Sequence, residues 1–118
     1  MAITVTSPQP GNFGFLINGV SADASGCEEL KAAPGVGMLL IVDHITINNG
    51  ANALSITIGQ GVNAGAVETA LIGPIAMAAN TSLQFWFPHG MILSANKSLT
   101  VDASGAGPIC IFARGRIQ

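Results

Sequence analysis

Asp43 and His44 stand side by side in the run "GMLLIVDHITINNG", Gly37 to Gly50. An imidazole beside a carboxylate is the raw material of general-base and metal sites. The run is rich in β-branched residues and of strand length, so it reads as a β-strand. Successive side chains of a strand point to opposite faces. Strict alternation groups Asp43 with Leu39, Ile41, Ile45 and Ile47, and His44 with Leu40, Val42, Thr46 and Asn48. Adjacency in sequence then separates the two side chains, and they form no dyad with each other.

Partners from other strands are few. His89 lies in "FPHG", Ser55 and Ser82 offer hydroxyls, and Glu68 and Asp102 are the spare carboxylates. The chain has no G-x-S-x-G elbow, no H-E-x-x-H and no paired-carboxylate spacing. His44 is expected to be a hydrogen-bonded histidine in a packed layer. Asp43 is expected to be a paired or backbone-bonded carboxylate, fitted to a subunit seam. Cys27 and Cys110 are far apart, match no zinc spacing and read as free buried thiols. Asn80-Thr81-Ser82 and Asn96-Lys97-Ser98 have the form of glycosylation sequons but stand in a Ser/Thr/Asn-rich chain with no secretion signal. "GQGVNAG" lacks both the third glycine of a dinucleotide loop and a P-loop lysine, and reads as a hairpin loop. No catalytic residue, cofactor or metal is expected.

The elements that would carry these residues are strands. Alternation sets Leu54, Ile56 and Ile58 against Ser55 and Thr57, and Leu83, Phe85 and Phe87 against Ser82, Gln84 and Trp86. It likewise sets Leu99 and Val101 against Ser98, Thr100 and Asp102, and Ile109, Ile111 and Ala113 against Cys110, Phe112 and Arg114. Turn signals lie between and beside the strands: Asn18-Gly19, "APGVG", "NNGAN", "PHG", "SANK" and "SGAG". Ser25-x-x-Glu28 resembles a helix capping box, but Pro34 and Gly35 leave room for only about two turns, and "ELKAAPGVGMLLIV" reads better as strand, tight turn, strand. The pattern is that of a single all-β domain, a sandwich or barrel.

Composition bears on partners. Of the 118 residues, 49% are hydrophobic and 8% charged, against about 25% charged in an average soluble domain. A net charge of −2 without a Lys/Arg cluster argues against nucleic acid. No apolar stretch reaches the roughly 18 residues of a spanning helix, which argues against a membrane. "GMLLIV" and the strand through Cys110 and Phe112 are apolar on both faces, and Trp86 opposes Phe85 and Phe87. A lone two-layer sandwich leaves one such face wet, so a neighbouring subunit is the expected cover.

Much of the chain, from about Leu30 to Gly115, resembles small β-sandwich structural proteins of tailed bacteriophages. The resemblance lies in an "AAPG" turn feeding a long apolar strand, a Gly-Pro ahead of "MAAN", an aromatic strand ending in a turn, and a closing L-x-V strand, an "SGAG" hairpin and a final strand. It implies an antiparallel sandwich of jelly-roll type with short Gly-rich turns, often trimeric, that decorates or cements a capsid or sits in a tail. No catalytic residue carries over. The expectation is a virion protein made in the host cytoplasm, whose partners are further copies of itself and the major capsid protein or another virion protein. The alternative is a tail or fibre module that recognises a host surface ligand. Residues 1–12 are read as an extended arm and 13–118 as the sandwich. Ile3 and Val5 of the arm, with Trp86 and Phe112 on the outer faces, are the candidate partner-binding residues.

Overall fold

The computed structural model describes residues 4–6, 14–21, 26–61, 69–105 and 107–118. Among them the chain forms nine strands: β1 (Thr4–Thr6), β2 (Gly14–Ser21), β3 (Gly26–Lys31), β4 (Leu40–Asn49), β5 (Leu54–Gly61), β6 (Thr69–Met77), β7 (Ser82–Ile92), β8 (Ser98–Ala103) and β9 (Ile109–Ile117). They make two antiparallel sheets, one in the order β1-β2-β9-β4-β7 and one in the order β3-β8-β5-β6. No helix among the described residues is long and apolar enough to cross a membrane.

The core lies between the sheets. From the five-stranded sheet come Phe15, Ile17, Leu40, Val42, Ile45, Ile47, Ile109, Ile111 and Ala113; from the other come Leu30, Leu54, Ile56, Ile58, Met77, Leu99, Val101 and Ala103. The apolar sets of β5, β8 and β9 that alternation selected are the ones buried here. Gly26–Lys31 is a strand rather than a helix, because Leu30 fills the core from the edge of the four-stranded sheet.

Most connections differ from the local hairpins that the turn signals imply. Among consecutive strands only β1–β2 and β5–β6 pair with each other; the other connections pass from one sheet to the other. "APGVG" therefore joins β3 to a strand of the opposite sheet, and "SGAG" does the same between β8 and β9. Asn18-Gly19, read as a turn, lies inside β2, opposite Phe112 and Ile111. Ladder pairing on both sides outweighs the local preference of that dipeptide. "PHG" is likewise not an end. It is an irregularity within β7, whose register against β4 jumps from Trp86↔His44 to Met91↔Val42.

The most consequential departure is in β4. Val42 pairs with Gly115 and His44 with Arg114, so Asp43 is an extra residue, a β-bulge. A bulge shifts the alternation by one. Leu40 and Val42 thus share the inner face with Ile45 and Ile47, whereas strict alternation placed them with His44. Asp43 leaves the apolar face assigned to it and pairs with Arg116 at 3.3 Å. Gly115 makes the bulge possible: a Cβ there would collide with the Ile41 carbonyl and the Phe15 ring. Ile41 faces outward but is 3% exposed; Gly90, at φ 82°, lets β7 pass close against it. The two-sided apolar character of "GMLLIV" is thus satisfied within the chain and needs no partner at that point.

Candidate functional site

The side chains with chemistry gather on the outer face of the five-stranded sheet, in three cross-strand rows. Leu16, Arg114, His44 and Trp86 form the first; Asn18, Phe112, Thr46 and Gln84 the second; Val20, Cys110, Asn48 and Ser82 the third. Alternation along β4, β7 and β9 puts these residues outward because their neighbours fill the core.

The first row is aromatic and basic. Arg114 reaches across β4 and sets its guanidinium 5.5 Å from the centre of the Trp86 ring, a cation–π geometry. His44 lies between two aromatic rings, 5.9 Å from Trp86 and 6.3 Å from Phe112. Its Nε2 is 3.5 Å from the Thr46 hydroxyl. Trp86 is 61% exposed, while Phe112 and His44 are half-buried.

The third row is polar. The Ser82 hydroxyl donates to Asn48 Oδ1 at 2.7 Å, and the Cys110 thiol to Asn18 Oδ1 at 3.3 Å. An open cavity of about 260 Å³ lies beside it, lined by Val20, Asn48, Pro108, Ile109 and Cys110 among others. Beneath, Asn49 is buried, and its amide nitrogen serves the carbonyls of Asn52 and Ala78 at 2.8 and 3.0 Å. That clasp ties the end of β4 to the end of β6.

The chemical candidates do not converge. Ser82 shares a face with His44 but pairs across from Asn48, two rows away. Ser55 belongs to the other sheet, where its backbone N–H donates to the Ser104 hydroxyl. Asp102 lies on the outer face of that sheet, across from Cys27 and Thr57. His89 is exposed in the irregular part of β7. Among the described residues no three His, Cys, Asp or Glu side chains stand close enough to share a metal ion. Burial, and then the charge of Asp102, pushes the Cys27 thiol above its ordinary pKa, which disfavours the nucleophilic thiolate. Both sequon asparagines sit in tight positive-φ positions, and Asn96 Oδ1 accepts the Gly35 N–H at 3.0 Å.

Of the candidate partner-binding residues, Trp86 and Phe112 lie one row apart on this face. Val5 belongs to β1, whose backbone pairs with β2 of the same chain, Val5 opposite Gly19. Ile3 and Glu68 lie outside the described residues, as does most of the "GQGVNAG" loop. Arg114 and His44 are what sequence reasoning missed as members of this face; the one available signal was that Arg114 shares its alternation set with Phe112.

No protein-family model, curated protein or solved structure matches this chain. What the face can do follows from its residues. It can grip a surface through aromatic and guanidinium contacts, and it presents no assembled nucleophile, base or metal cage.

Proposed function

We propose that the chain is a virion structural protein of jelly-roll type, a decoration module that self-associates, as a trimer, and clips onto a phage head shell without enzymatic activity. The observation that carries this reading is the strand order. With β1 set aside, β2-β9-β4-β7 faces β3-β8-β5-β6, the interleaved order of a double Greek key. Such a fold leaves two broad sheet faces, and here one of them carries Trp86, Phe112, His44 and Arg114. Tryptophan and arginine are the residue types that dominate protein interfaces. The low charge of the chain and its resemblance to phage sandwich proteins support the same role.

The N-terminal stretch enters as the grip. Thr4–Thr6 pairs with β2 over only three residues, so the same segment can add instead to a neighbouring sheet edge, with backbone hydrogen bonds supplying affinity. Co-sedimentation with tailed-phage heads tests the role directly. The full chain is expected to pellet with the heads, and a chain lacking Met1 to Pro10 to bind them more weakly while keeping a native circular dichroism spectrum. A full chain that never pellets overturns the decoration role. Binding to immobilised host glycans instead would favour a tail-associated recognition module.

A further inference from the structure

The two outer faces of the sandwich differ in sign. On the five-stranded sheet, Arg114 and Arg116 stand against one carboxylate, Asp43, and the only ion pair formed there among the described residues is Arg116–Asp43. Arg114 is left exposed over Trp86. On the four-stranded sheet, Asp102 pairs across from Cys27 and Thr57, and Glu29 across from Thr100. Both carboxylates are partly accessible, and neither is in an ion pair among the described residues. The one cation on the described strands of that sheet, Lys31, turns away: its amine lies 5.6 Å from the Phe15 ring. Burial and then the charge of Asp102 raise the Cys27 thiol, in keeping with a local excess of carboxylates on this face.

We infer that copies of this chain associate head to tail, the Trp86–Arg114 face of one seating on the Glu29–Asp102 face of the next. Contact between two basic faces sets arginine against arginine, and contact between two acidic faces sets carboxylate against carboxylate. Like charges opposed in an interface cost several kcal/mol and suppress the wrong pairing. The mixed contact brings Arg114 to carboxylates that have no ion-pair partner among the described residues while covering Trp86, whereas the one carboxylate of the basic face, Asp43, is already paired with Arg116. A contact between two different patches is heterologous. It closes into a ring when the rotation between copies closes, and it excludes the two-fold dimer as the primary assembly. The inference deepens the self-association part of the reading above and does not depend on shell binding.

Light scattering coupled to gel filtration, at low and high salt, tests it. The unmodified chain is expected to self-associate, as a ring or as an open stack, with an association that weakens with salt. Arg114→Glu, and separately the pair Glu29→Arg with Asp102→Arg, are each expected to weaken association about tenfold or more. A chain carrying all three substitutions restores opposite signs across the contact and is expected to regain the oligomer. Circular dichroism establishes that each variant is folded; if a reversal unfolds the chain, Arg114→Gln and Asp102→Asn replace it, each expected to weaken association. A monomeric unmodified chain overturns the inference. So does a basic-face variant that dissociates while the acidic-face variant does not, the signature of a symmetric basic-face dimer. Failure of the triple variant to recover overturns it as well. Loss of head binding with the oligomer intact would sink the decoration role alone.

Discussion

The outer faces of the two sheets follow one alternation rule and come out unlike. On the four-stranded sheet the residues of β5 and β8 that point away from the core are small and polar, Ser55, Thr57 and Asp102 partly exposed and Ser98 and Thr100 fully buried. On the five-stranded sheet the outward residues of β4, β7 and β9 include His44, Trp86, Phe112 and Arg114. The difference begins at the Asp43 bulge. It moves a carboxylate out of an apolar register, hands it to Arg116, and leaves Arg114 free to lie over Trp86. One inserted residue thus helps set the sign of a whole surface.

The largest test is to remove the bulge. Gly115→Val would force side-chain atoms into the Ile41 carbonyl and the Phe15 ring. Overpacking of this kind is expected to cost about 3 kcal/mol, read as a lower midpoint in urea denaturation. Unchanged stability would mean that the close approach of β4 and β9 is not needed.

A smaller effect is expected on the opposite face. The Thr100 hydroxyl is buried and, among the described residues, has the Cys27 thiol beside it but no hydrogen bond of good geometry, and a poorly paired buried polar group is destabilising. Thr100→Val keeps the shape and is expected to be neutral or to stabilise by up to about 1 kcal/mol. A clear loss of stability would show that the hydroxyl does have a partner.

The smallest effect concerns pH. The folded-state pKa of Cys27 is raised above the ordinary thiol value of about 8.5. The folded chain therefore holds that proton more tightly than the unfolded chain. The associated stability is fully present below the ordinary thiol pKa and is lost as pH rises through the raised value. Alkylation by iodoacetamide should accelerate at a higher pH for Cys27 in the folded chain than for the same thiol in urea. Coincident profiles would remove the acidic, desolvated character assigned to its surroundings.

Sequence alternation anticipates the inner residues of β5, β8 and β9 because those strands run without insertion through Leu54–Ile58, Leu99–Val101 and Ile109–Ala113. It fails at Asp43, where one extra residue reverses the parity that it assumes; nothing local in "IVDHIT" marks the insertion. The glycine that permits the bulge lies 72 positions later in the chain. Trp86 and Phe112 were legible as outward residues, yet the face they belong to was not, since Arg114 meets Trp86 across an intervening strand. Turn dipeptides misled for a related reason. Asn18-Gly19 states a local preference, and β9 supplies a non-local partner that overrides it.

The place of β9 in its sheet has a consequence for how the molecule is made. It follows the eight other described strands in sequence, yet it lies between β2 and β4 and holds them apart. Until Ile109–Ile117 leaves the ribosome, the larger sheet lacks an interior strand and the core lacks Ile109, Ile111 and Ala113. The four-stranded sheet and the β1–β2 and β4–β7 pairs can form without it, but the β1–β2 pair and the β4–β7 pair are joined into one sheet only through β9. Such a chain gains little from folding as it is synthesised, and assembly by non-local pairings is slow and exposed to aggregation. A nascent chain stalled before Ile109–Ile117 then exposes the open edges of β2 and β4 and an incomplete core, which makes it a substrate for chaperones.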